Sequence, residues 1–370
     1  MNVAVTGIGL VSALGTLMPT WERLIEGCSG IQFYQPFSSL KPRPIALIGK
    51  YPAEILSLTR QVVLDAVNDA GLKFPLIDCG VVVGSSRGNQ AQWEQFTTGQ
   101  GELSNWLRTL PNGSAIETAR LIQSQGIVLA PMAACATGLW AIARGAELIW
   151  SGQCERVICG AIEAPITPLT LIGFERMGAL AKDGAFPFDG DRQGLVLGEG
   201  GAVFVLESEE LARRRKAEIY GRVLGFGLTA DGYHVSAPEP ESRAAIAAVN
   251  QCLERSRLRV EDIDYIHAHG TATQLNDRNE ANLIQHCFSD SVWVSSTKGA
   301  TGHTLGGSGA LGAAFCLMAL KHQIVPPNVG MRNRKFGIAI AQSAQSTKLE
   351  NVLCFSFGFG GQNAIVAFGQ

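Results

Sequence analysis

Short β-branched apolar runs that close on glycine-rich turns alternate with helical segments along the whole chain. The runs are NVAVTGIGLVS (2–12), CGVVVGSS (79–86), GIVLAPMAACATG (126–138), ERVICGAIEA (155–164) and GAVFVLES (201–208). They resume as IYGRVLGFG (219–227), IDYIHAHG (263–270), WVSSTKG (293–299) and VLCFSFGFGG (352–361). Between them, Glu54 to Ala70, Leu139 to Trp150, Arg243 to Arg255 and Gly306 to Leu320 carry helical spacing or a continuous apolar run. Uninterrupted apolar strands that alternate with helices predict an α/β fold with parallel sheets covered on both faces. A charged stretch ending in Arg213, Arg214, Arg215 and Lys216 separates the two series. It predicts two similar halves, 1–212 and 213–370, of the kind an old duplication leaves.

Composition agrees with a large core. Of 370 residues 46% are apolar and 17% charged, against a usual charged share of about 25%. Disorder is excluded because so much apolar surface is available for burial. A net charge of −2 argues against a nucleic-acid binder, which would need a basic face. Two uncharged stretches, Leu121 to Ala143 and Thr304 to Leu320, are read as core rather than membrane spans. The first is broken by Pro131, and the second is short and glycine-rich. Nine cysteines without a CxxC pair predict reduced thiols, and with no basic leader at the N-terminus a cytoplasmic location. The basic run at 213–216 is read as a solvated connection.

Three familiar signals carry little. Gly7-Ile8-Gly9 has Ser12 at the last fingerprint position, and no acidic residue follows a second strand. Gly307-Ser308-Gly309-Ala310-Leu311-Gly312 matches GxGxxG but runs into a helix rich in glycine and alanine, so close helix packing explains it. Asp189-Gly190-Asp191 opens like a calcium loop, yet its twelfth position is Gly200. No metal or redox cofactor is expected, at the His267/His269 pair or elsewhere.

The chemistry concentrates elsewhere. Cys135 lies in AACATG between an apolar strand and an apolar helix, where a helix N-terminus favours a thiolate. His269 in AHGTAT and His303 in TKGATGH sit at strand-end glycine turns, the usual ligand-binding edge of an α/β sheet. Phe357-Gly358-Phe359-Gly360-Gly361 is a flexible turn whose N–H groups suit an oxyanion hole.

With these residues in view, the chain resembles the β-ketoacyl-acyl carrier protein synthases, condensing enzymes of fatty-acid and polyketide synthesis. The resemblance runs in order through VTGIGLVSALG, AACATG, GFERMGALA, PFDGDRQGLVLGEG, HAHGTAT, TKGATGHTLGGSG and FGFGGQNA. It implies the thiolase fold, two similar α/β halves forming a five-layered αβαβα sandwich, and a homodimer or heterodimer. It implies that Cys135 takes an acyl chain from carrier-protein phosphopantetheine, which arrives as part of the substrate. His269 and His303 then hold the malonyl thioester carbonyl during decarboxylation. Lys298 and Glu280 give charge support, and Thr271 and Thr273 bond the pantetheine amides. Phe359 serves as gate and, through its N–H, with that of Cys135, as oxyanion hole. Phe357, Gly358, Gly360, Gly361 and His234 belong to the two mobile loops beside the substrate.

Departures from the family pattern are local. The chain is shortened between Phe37 and Leu56 and between Gly88 and Gly126, where the family builds its cap, dimer contacts and acyl-pocket wall. His267 stands where Asn or Glu is common, and Gln362 where Thr is usual. Acyl length and dimer geometry are therefore open. Two other readings compete: an acyltransferase that does not decarboxylate, and a chain-length partner subunit without catalysis.

Overall fold

The apolar runs assemble into mixed sheet in which one strand order occurs twice. The computed structural model describes residues 2–370. The first half holds β1 (Val3–Ser12), β2 (Gly80–Gly84), β3 (Val128–Leu129), β4 (Arg156–Glu163) and β5 (Gly200–Ser208). The second holds β6 (Gly221–Ala230), β7 (Tyr265–His267), β8 (Trp293–Ser295), β9 (Asn351–Gly358) and β10 (Gln362–Gly369). Running inward the orders are β3-β2-β4-β5-β1 and β8-β7-β9-β10-β6, with a further two-residue strand, Ala339–Ile340, parallel to β8 at the outer edge of the second half. Third, second, fourth, fifth and first strands follow one another in both. The halves meet where β1 pairs antiparallel with β6, Val3 to Val5 against Val223 to Gly221.

Only part of each half is parallel, contrary to the sequence expectation. β2, β3 and β4 are parallel neighbours, as are β7, β8 and β9. The pairs β4–β5, β5–β1, β9–β10 and β10–β6 are antiparallel. For the last hairpin the reason is length: three residues separate β9 from β10, and a parallel crossover needs a dozen or more. β10 itself is not anticipated from the sequence.

Helices complete five layers. α1 (Ile55–Asp69) and α2 (Gly113–Ile122) pack one outer face, around Val62, Ala66, Ala115 and Val81. α4 (Arg243–Ser256) and α5 (Gln274–Cys287) cover the other, around Val249, Ile284, Ile266 and Leu353. Between the sheets lie α3 (Thr137–Trp150) and α6 (Ser308–His322), whose residues Ser308 to Leu320 are all buried. A helix apolar all round must be enclosed on all sides. The two central helices touch backbone to backbone: a Cβ on Gly138 would lie 2.4 Å from the Ala310 amide nitrogen. Gly309, in the GxGxxG-like run, packs against Leu139, so that run serves helix packing.

The charged connection between the halves is a short helix, Glu209–Arg214, capped by Ser208. Arg213 pairs with Glu209, and Arg215 with Glu207 at 2.6 Å. Asp189 spends its carboxylate on the N–H groups of Asp191, Arg332 and Asn333. No described helix is long and apolar enough to cross a bilayer.

Candidate active site

Cys135 sits on a sharp turn between β3 and α3. The residue before it, Ala134, has φ +48°, a left-handed conformation that costs energy in an alanine. Thr137 holds the turn: its hydroxyl accepts from Ala133 N–H at 2.9 Å and donates to the Ala134 carbonyl at 2.7 Å. Ser356 of β9 donates to the Cys135 carbonyl at 2.9 Å, tying the nucleophile turn to the second half. Cys135 is 7% exposed. Burial pushes its pKa up to about 11, although Lys298, Arg87 and the Phe359 N–H each pull it down. The sequence expectation of a favoured thiolate therefore does not hold in the free site. Cys135 lies one residue outside the helix cap Ala136, and burial is the largest influence on its thiol.

The parallel strands bring both histidines to the same edge. His267 of β7 is level with Ser295 of β8 and Cys354 of β9, so β7 and β8 end together while β9 runs on to Gly358. The ligand atoms of Cys135, His269 and His303 all lie within 4.8 Å of one another. The histidine rings meet edge to face with centres 5.3 Å apart. His303 Nδ1 accepts from Leu305 N–H at 3.0 Å and lies 3.0 Å from Ser308 Oγ. An accepting Nδ1 in a neutral ring places the proton on Nε2. Burial, then the positive charge of Lys298, holds both rings well below the ordinary histidine pKa. Both are neutral at physiological pH.

Lys298 and Glu280 act on this pair through the backbone. Lys298 Nζ donates to the His269 carbonyl. Glu280 accepts from His269 N–H at 2.6 Å and from Gly270 N–H at 2.7 Å. Burial raises the Glu280 pKa and lowers that of Lys298. His267 points into the central layer instead, 3.1 Å from Thr297 Oγ1 and against Phe315.

A cavity of about 290 Å³ opens onto Cys135, His269 and His303, with Lys298, Glu280 and His267 outside its lining. Thr271 and Thr273 line it, their hydroxyls 2.9 Å apart. Phe357 stands edge-on to His269, with ring centres 6.0 Å apart. Gly358 and Gly361 also line the cavity. Phe359 stacks on Phe174 at 6.0 Å, and its N–H is among the groups that draw the Cys135 pKa down. A Cβ on Gly358 would lie 2.6 Å from the Ala133 carbonyl oxygen and 3.1 Å from the Cys135 amide nitrogen. Gly358→Ala is thus expected to misplace both oxyanion donors. Acylation of Cys135, followed by intact mass, should slow by about a hundredfold, and the backbone shift forced by the Cβ should lower Tm as well.

His234 and Gly360 do not reach the cavity. His234 is exposed, and its Nδ1 accepts from the N–H groups of Ser236 and Ala237. It shapes the loop whose other residues, Ser236 to Glu239, do line the cavity. Gly360 has φ +78° and donates to the Val235 carbonyl at 2.9 Å, so the two loops brace each other. Asp231 accepts from Asn363 at 2.7 Å nearby.

Three buried carboxylates are not anticipated from the sequence. Glu163, at the end of β4, accepts from Ser85 Oγ, from Ser86 through N–H and Oγ, and from Arg87 N–H. It also takes Gly306 N–H at 3.1 Å, which joins the halves beside His303. Asp277 accepts from the N–H groups of Phe188, Thr271 and Ala272. Glu199 accepts from Ala53 N–H at 2.7 Å and Ile48 N–H at 3.4 Å, and burial raises its pKa to about 7. For Glu163 the available signal is an acidic residue ending an apolar strand, as in ERVICGAIEA; Asp277 in the first turn of α5 and Glu199 before β5 carry no such mark.

Family and structural comparisons fit this geometry. Residues 53–212 match the model described as beta-ketoacyl synthase, N-terminal domain, and residues 220–332 the C-terminal domain. The 3-oxoacyl-[acyl-carrier-protein] synthase 2 of Synechocystis sp. is 32% identical over 410 residues, covering 99% of this chain and 97% of its own. The Coxiella burnetii protein of the same name is 32% identical, covering 100% and 98%. A solved structure, the ishigamide ketosynthase/chain length factor, superposes with TM-score 0.92 at 26% identity, over 100% of this chain and 99% of that one.

Proposed function

The chain belongs to the β-ketoacyl synthase family, and we propose that it extends acyl chains by decarboxylative condensation on Cys135. One observation carries this reading: a buried thiol shares a 4.8 Å cluster with two neutral histidines. The Cys135 sulfur attacks the acyl thioester carbonyl, and the carrier's pantetheine thiol leaves. Malonyl-carrier protein then binds with its thioester carbonyl facing His269 and His303. Two uncharged N–H donors stabilise the enolate formed as carbon dioxide departs. The carbanion attacks the Cys135 thioester. The resulting oxyanion is held by the Cys135 and Phe359 N–H groups, and collapse breaks the carbon–sulfur bond to free the thiol.

Loss of carbon dioxide drives the reaction, so no resident cofactor is required. Thr271 and Thr273 guide the pantetheine arm, and Phe359 with Phe174 gates the acyl side. The repeated strand order supports treating 1–212 and 213–370 as the two halves. We further propose an acyl carrier protein as donor, assembly as a dimer, and action in the cytoplasm, where nine free thiols stay reduced.

Mixing the protein with acyl-loaded and then malonyl-loaded carrier protein, read by intact mass, tests the reading. An acyl-enzyme followed by a β-ketoacyl product supports it. An acyl-enzyme without decarboxylation points to a plain acyltransferase, and no adduct to a non-catalytic partner subunit.

A further inference from the structure

Beyond the Phe174–Phe359 pair the residue types change from apolar to polar. Around Cys135 the packing partners are apolar, among them Leu171, Phe174, Leu195 and Leu305. On the Phe174 ring, however, rests the guanidinium of Arg87, 5.9 Å from the ring centre. Its Nη1 lies 3.3 Å from Gln90 Oε1. Gln90 is buried at 9% exposure, and its amide donates to Glu94 and Thr167. Arg87 has no carboxylate within 4.0 Å among the described residues. The two acids near it are committed: Glu163 to five donors, and Glu94 to Gln90 and Leu169 N–H. Arg87 is therefore a solvent-exposed cation without a carboxylate partner, lying behind Phe174 rather than in the cavity lining, and its field reaches the Cys135 sulfur. A plain alkyl tail running past Phe174 would take water from this cation without giving it a partner, which is unfavourable, whereas Gln90 is already hydrogen-bonded through both amide atoms.

We infer that Arg87 determines acyl specificity, and that the acyl group loaded on Cys135 ends in an anion, a carboxylate, that pairs with the Arg87 guanidinium. The inference rests on the reading of Cys135 as the acylated residue. Apolar walls serve the first carbons, and a charge-assisted hydrogen bond serves the end of the chain.

Pantetheine thioesters of hexanoate and of adipate test this, because they have equal length and differ in ending on methyl or carboxylate. The rate of adduct formation on Cys135 is followed by intact mass in the parent, R87L and R87K. The parent should load adipoyl about tenfold faster than hexanoyl, the worth of one partly exposed ion pair. R87L should reverse that order, and R87K should keep part of the preference. Equal or faster loading of hexanoyl by the parent, or a preference surviving in R87L, overturns the role of Arg87 while leaving the condensing reading intact. Failure of both thioesters to load Cys135 overturns both.

Discussion

Cys135→Ala is expected to abolish the acyl-enzyme and to cut condensation by at least about a thousandfold, roughly 4 kcal/mol. The substitution removes one buried sulfur from a turn held by Thr137 and Ser356, neither of which bonds through the thiol. The fold should survive, and circular dichroism should match the parent. Intact mass after incubation with acyl-loaded carrier protein checks the loss, and a persistent adduct would remove Cys135 from its role. The same residue has a pH signature. Burial lifts its pKa to about 11, so the thiolate is a minor species at neutral pH and grows about tenfold per pH unit below that value. Alkylation by iodoacetamide, mapped to Cys135, should keep rising between pH 7 and pH 10. A plateau below pH 8 would mean that Lys298 and the Phe359 N–H outweigh burial.

His303→Ala is expected to separate the two half-reactions. Leu305 N–H and Ser308 orient this ring from one side, leaving its Nε2–H for the malonyl carbonyl. Removing one such donor should slow decarboxylation by about 10²- to 10³-fold, near 3–4 kcal/mol. Transfer of the acyl chain to Cys135 needs only the oxyanion donors and should continue. Release of carbon dioxide from malonyl-carrier protein and the mass of the Cys135 adduct read the two steps independently. Equal loss of both would indicate a collapsed site rather than a missing donor. Because burial and Lys298 hold both rings neutral, decarboxylation should show no histidine titration between pH 6 and pH 8.

Much of this site is legible in the amino-acid sequence, for a physical reason. Catalytic groups here ride on strand-end turns, and such turns are written in glycine: AACATG, AHGTAT, TKGATGH and FGFGG are local patterns. Interactions between groups distant in sequence leave no such mark. Glu163 and Gly306 are 143 residues apart, and nothing near ERVICGAIEA indicates that its glutamate will brace the turn beside His303. His234 fails in the other direction. It sits in a recognisable loop, but its imidazole caps that loop's own backbone instead of facing the cavity.

By itself the sequence indicated the alternation of strand and helix and the enclosed central helix, and it singled out Cys135, His269 and His303 as candidates. Those follow from periodicity, from apolar content and from which side chains can carry nucleophilic or proton-handling chemistry. Tertiary structure alone decided the direction of the inner strands, because an apolar run reads alike in parallel and antiparallel sheets. It alone decided the charge states as well. A helix end favours a thiolate and a lysine favours an anion, but full burial of Cys135 outweighs both. Only the packed fold could show Arg87 on the ring of Phe174, since a lone arginine after a glycine-rich strand end is, in sequence, an ordinary surface charge.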